Sequence, residues 1–177
     1  MNISIRNKSA QLRQNLENLS HDGFKKIFEH INLYGIKKGV DTMGLDKFIN
    51  QCAYIAAGTG VITGSGGALT MILGLPVDVI NTITQQFRVT LAIIYSRRGK
   101  SQMTFEEFMT FVAASVKVEA GVALTKTIME EIAEKLLLRL GSKAAGRLIP
   151  VVGGVIGGSA NYIFIKRMAE TVKKMDL

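Results

Sequence analysis

The chain has 177 residues, 47% of them apolar, which is enough to bury a core in one domain without staples. A single cysteine, Cys52, excludes an internal disulfide, and the polar start Met1-Asn2-Ile3-Ser4-Ile5-Arg6-Asn7-Lys8 does not read as a signal peptide. The net charge of +8, clustered at Lys25-Lys26, Lys37-Lys38, Arg97-Arg98, Lys166-Arg167 and Lys173-Lys174, favours an anionic partner, either nucleic acid or an acidic lipid surface.

Leu12, Leu16 and Leu19 recur at helical spacing and predict a polar, peripheral helix over 5–20. Phe24, Ile27, Phe28 and Ile31 predict an amphipathic helix over 22–34, with Gly35 and Gly39 marking its end. Asp41 or Thr42 suits the N-cap of the next helix, which Leu45, Phe48, Ile49, Cys52 and Ile55 continue. Glycines then follow at 58, 60, 64, 66, 67 and 74. A glycine inside a helix costs roughly 1 kcal/mol relative to alanine, so two short helices meeting at Gly64–Gly67 are expected. Pro76 suits the first position of a long helix, with Asp78 in its first turn, Arg97-Arg98 at its end, and a stripe of Val77, Ile80, Ile83, Phe87, Leu91 and Ile94. Thr104 and Glu107 fit a capping box ahead of Phe105–Val112. Further helices are expected over 118–140 and from Pro150 to Met175, and no alternating β pattern occurs.

The fold class implied is all-α, a compact bundle of about six to eight helices. Two glycine-rich apolar segments, Cys52–Pro76 and Leu148–Ile165, are expected to pack together in it. Residues 1–40 read as peripheral N-terminal helices, and 41–177 as the glycine-rich helical domain. No charged residue lies from Phe48 to Val77 or from Leu148 to Ile165. Gly60 and Gly64 are four apart, as are Gly153 and Gly157, and Gly154 and Gly158; this spacing clears one helix face for close approach of another backbone. Asn161 interrupts the second glycine face, where its amide can hydrogen-bond across a helix pair.

Two stretches resemble the EcsC family, bacterial proteins named for the third member of an operon that also encodes an ABC transporter. The first is Ala56-Ala57-Gly58-Thr59-Gly60 through Gly66-Gly67 and Leu75-Pro76-Val77-Asp78 to Gln86, Arg88 and Tyr95. The second is Leu148-Ile149-Pro150-Val151-Val152-Gly153 through Gly157-Gly158 to Asn161-Tyr162. The resemblance implies a helical, membrane-associated bacterial protein with no established enzymatic role, and it supplies no catalytic residues.

Chemistry-bearing constellations are sparse. Asp78 reads as a helix-start acid, with pairing to Arg88 or a cation as the functional alternative. Gln85, Gln86 and Arg88 read as facing water, with an internal polar seam as the other reading. His21 and His30 lack the company a metal site needs, so no metal is expected. Gly99-Lys100-Ser101 lacks the earlier glycine of a phosphate loop, and no dinucleotide fingerprint occurs, so no cofactor is expected. Charge alone does not support nucleic acid as a partner. The leading expectation is a non-enzymatic protein at the inner face of the bacterial cytoplasmic membrane, accessory to a transporter. Its partners would be anionic lipid, another membrane protein or further copies of itself. The alternatives are a soluble helical module that binds a lipid or another apolar ligand, and a membrane-perturbing effector.

Overall fold

The computed structural model describes residues 16–17, 19–58, 75, 77–100, 102–119, 124–139 and 157–176. Among them lie seven α-helices: α1 His21–Glu29, α2 Leu33–Met43, α3 Leu45–Ala57, α4 Val77–Arg98, α5 Phe105–Ser115, α6 Lys126–Arg139 and α7 Gly157–Lys173. No strand occurs among the described residues, and the helices form a compact all-α bundle. Of the two glycine-rich segments, residues 59–74 and 148–156 lie outside the described residues.

The region around Gly35 and Gly39 differs from the sequence expectation. One helix does not run over 22–34; α1 closes at His30, and α2 starts afresh because the Asn32 side chain accepts the Gly35 N–H at 2.9 Å. Gly39 does not break α2. A Cβ there would stand 2.7 Å from two ring carbons of the buried Phe48, so glycine lets α2 and α3 approach closely. Gly44, at φ +83°, makes the junction between them, a conformation that a side chain would strain.

α4 is the axis of the bundle. Val79, Ile80, Ile83, Phe87, Val89 and Leu91 through Ile94 are all buried, so it is covered on nearly every side. Phe87 meets Phe24 of α1 at 5.7 Å and the Phe108 ring of α5 edge-on at 4.8 Å. Thr104 caps α5 by accepting the Glu107 N–H at 3.1 Å, while the Glu107 carboxylate reaches Arg98 at 3.1 Å. α5 ends where Lys117 adopts φ +61° and the Val118 N–H returns to the Ala113 carbonyl at 2.9 Å. That closure is why helix does not run on from Val118; α6 begins later, after Thr125, whose hydroxyl accepts the Ile128 N–H. Arg139 and Lys135 of α6 then donate to the Ser115 and Lys117 carbonyls at 2.7 and 2.9 Å.

Three helices share one register. α3 runs antiparallel to α7 through Asp46–Lys173 at 2.8 Å, Asn50–Lys166 at 2.8 Å, Tyr54–Tyr162 with ring centroids at 5.1 Å, and Ala56–Asn161 at 3.1 Å. It also runs antiparallel to α4, through Phe48–Arg88 and Ile55–Asn81. α4 and α7 are therefore parallel, and at their C-terminal ends the Arg97 guanidinium donates to the carbonyls of Lys173 and Met175. The C-terminal end of α3 and the N-terminal ends of α4 and α7 thus come together.

Gly39→Ala is expected to destabilise the protein by about 1–3 kcal/mol through overpacking against Phe48, although alanine is the better helix former. Urea denaturation checks this. Phe48→Leu in the same chain should recover part of the loss, whereas simple additivity would count against the steric explanation.

Candidate functional site at the converging ends of three helices

The last carbonyls of a helix have no partner within it, and a buried helix end must find donors elsewhere. At the end of α3 the Gly58 N–H takes the Tyr54 carbonyl at 2.9 Å. The next two carbonyls are met by side chains from other helices. Asn81 Nδ2 of α4 donates to the Ile55 oxygen at 2.9 Å, and Asn161 Nδ2 of α7 donates to the Ala56 oxygen at 3.1 Å. Two asparagines therefore cap α3 from outside and dock it against both neighbours.

Asn81 heads a relay along α4. Its Oδ1 accepts from Gln85 Nε2 at 3.3 Å, and Gln85 Oε1 accepts from the Arg88 guanidinium at 2.8 Å. The guanidinium lies over the Phe48 ring, 5.4 Å from its centroid. Gln85 and Gln86 do not face water as expected; they are 5% and 0% exposed, because the helices packed around α4 leave those faces no solvent. Cys52 is buried beside this relay. Burial pushes its thiol up to about 11, with the Arg88 charge opposing the shift, so it stays protonated near neutral pH and is a poor nucleophile.

Apolar side chains are exposed around the same end. Tyr54 is 67% exposed and stacks at a tilt on the half-buried Tyr162; Ile163 is 47% and Val77 41% exposed. Of the residues singled out in the sequence, Gly157 and Gly158 lie in the first turn of α7, Asp78 in the first turn of α4, and Asn161 at the α3–α7 contact. Gly60, Gly64, Gly153 and Gly154 lie outside the described residues. Asp78 and Arg88 are ten residues apart on one continuous helix, a rise of about 15 Å, too far to pair directly. Asn81 and Tyr54 escaped the sequence reading. The available signal for Asn81 was a lone amide among Val79, Ile80 and Ile83.

The expectation of a membrane-associated protein at the inner face of the cytoplasmic membrane is corrected. No helix among the described residues is long and apolar enough to cross a membrane. The described ends of both apolar segments bury into protein: Phe48, Ile49, Cys52, Ala53 and Ala56 on one side, Phe164 and Ile165 on the other. Several cations assigned to headgroups have protein partners instead. Arg97 binds carbonyls, Arg98 binds Glu107, Lys166 binds Asn50, and Lys173 binds Asp46, whose carboxyl it holds below the usual range chiefly through that hydrogen bond. Elsewhere, Lys166, Arg167, Glu170, Thr171 and Lys174 line an open depression of about 530 Å³ on α7. Among the described residues, no three His, Cys, Asp or Glu side chains cluster as a metal site requires.

Comparison with protein-family models, curated proteins and solved structures finds no match. The resemblance to the EcsC family thus has no support from a matching family model or relative.

Asn161→Leu is expected to cost about 1–3 kcal/mol, because it leaves the buried Ala56 carbonyl without a donor. Asn161→Asp should cost at least as much, since a carboxylate cannot donate and meets the negative end of α3. Chemical denaturation measures both; wild-type stability in either variant would remove the cap from the explanation.

Proposed function

We propose that the chain is a non-catalytic helical module that binds an apolar ligand where α3, α4 and α7 converge, with its two glycine-rich segments packed on each other to complete the site. The observation that carries this reading is the Asn161–Ala56 hydrogen bond. It sets Gly58, where one glycine-rich stretch leaves α3, beside the start of α7, where the other arrives. Residues 59–74 and 148–156 contain no charged side chain. Their four-residue glycine spacings suit close backbone approach, and their Val, Ile, Leu and Met side chains suit an apolar wall.

Further support comes from the rim. Tyr54 and Tyr162 present a broad apolar surface with polar tips, which suits the boundary between a greasy ligand and water. Val77 and Ile163 add exposed apolar area at the same end. Burying such area contributes roughly 25 cal/mol per Å², so a ligand needs few polar contacts to be held. Binding is favoured over catalysis because the groups gathered here are amides, rings and a protonated thiol, with no nucleophile–base pair among the described residues.

Native mass spectrometry of the gently purified full chain tests the reading. A co-purifying apolar small molecule is expected, bound about tenfold more weakly when Tyr54 and Tyr162 are both alanine. A chain that is consistently empty, and stays empty when apolar ligands are supplied, would overturn it.

A further inference from the structure

The outer face of α7 holds a separate depression of about 530 Å³, within the size range of small-molecule sites. Lys166, Arg167, Glu170, Thr171 and Lys174 line it; three and four residues apart, they fall on one face of the helix. Its described lining therefore carries three cations and one carboxylate. The carboxylate is shared with a cation outside the depression, since Glu170 lies 3.4 Å from Lys173 Nζ.

Most neighbouring cations are already used within the bundle. Arg97 donates to the Lys173 and Met175 carbonyls, Arg98 pairs with Glu107 at 3.1 Å, and Lys173 pairs with Asp46 at 2.8 Å. The three cations of the depression are different. Arg167 and Lys174 are exposed and have no carboxylate partner among the described residues. Lys166 donates to Asn50 Oδ1 of α3 at 2.8 Å, a neutral partner that orients the ammonium, keeps its charge and leaves two of its N–H groups for a ligand. A cation at the end of a helix often serves the last carbonyls. Here Arg97 takes those carbonyls, so Lys174 is not needed for that purpose, and the negative end of α7 is covered where an anion would approach.

We propose that this depression binds a small soluble anion with two linked phosphoryl groups, Lys166 and Arg167 holding one and Lys174 the other. The inference is independent of the apolar site described above. Lys166 and Lys174 are eight residues apart, about 12 Å along the helix, so a ligand with anionic oxygens at both ends matches the row better than a single phosphate does. Phosphoryl oxygens suit the guanidinium fork of Arg167 and the point charges of the lysines. The Thr171 hydroxyl gives its proton to the Arg167 carbonyl at 3.0 Å, which leaves the cations as the donors. A small ligand is favoured over a lipid surface because Arg97, Arg98 and Lys173, which would widen the patch into a plane, are bound to protein.

The test is isothermal titration of inorganic pyrophosphate and of orthophosphate into the full chain at an ionic strength of about 0.1 M, where distant charges are screened. Pyrophosphate should bind about tenfold more tightly than orthophosphate, and the double variant Arg167→Gln with Lys174→Gln should weaken it about tenfold. Lys37→Gln with Lys38→Gln removes the same charge from exposed positions on α2 and should leave binding unchanged. Glu170→Gln should tighten binding about threefold, a gain that loss of folding cannot produce. No pyrophosphate binding by the wild-type chain, equal affinity for the two anions, or equal losses in the two double variants would overturn the site. Flotation with phosphatidylglycerol vesicles supplies the remaining arm: capture of the chain that pyrophosphate does not compete away would assign the face to a lipid surface and overturn the proposal as well.

Discussion

The end of α3 is the constraint on which the rest of the arrangement depends. In the last turn of α3 the Ala56 carbonyl is buried and the Ile55 carbonyl part-buried, withdrawn from the water that would otherwise satisfy them. Asn81 and Asn161 supply the missing N–H groups from two different helices. Because a side-chain amide reaches only one carbonyl at a time, each bond also fixes how far its helix slides along α3. The outer contacts of the bundle then agree with that choice: Asn50 with Lys166, Asp46 with Lys173, and Arg97 with the last carbonyls of α7. The functional reading follows from the same constraint, since it is what brings three helix ends to one place.

Apolar periodicity made the helical class legible, and the ends of α4 and α5 were legible too. Asp78, Arg97, Arg98 and Thr104 sit at helix termini, where their charge or hydroxyl has a local use. Local signals failed where a distant residue decides. Gly39 looks like a stop, yet it is a mid-helix residue whose missing Cβ makes room for the Phe48 ring. Gln85 and Gln86 look like a wet face, yet both are buried, and the half-exposed positions of α4 over that span are Asn81, Thr84 and Arg88. Lys117 is an unlikely residue for a left-handed turn on propensity alone, and the helix stops there regardless.

The apolar segments teach a similar lesson at a larger scale. An uncharged, glycine-rich run satisfies the requirements of lipid and of a close-packed protein interface equally well, since both exclude charge and the second rewards small residues. Composition could not separate the two. The described parts of these runs separate them, because Phe48 through Ala56 and Asn161 through Ile165 meet each other and α4. Asn161 had been visible in the sequence as a polar break in the glycine face; the identity of its partner, a carbonyl 105 residues earlier, was not.

The Asn161–Ala56 contact can be observed directly by nuclear magnetic resonance on the isotopically labelled full chain. Side-chain amide protons of Asn161 protected from solvent exchange, with nuclear Overhauser contacts to Ala56 and Ala57, are the expected result. Rapid exchange of those protons, with no contact between the first turns of α7 and the last turn of α3, would contradict the convergence from which the fold and its proposed ligand site are argued.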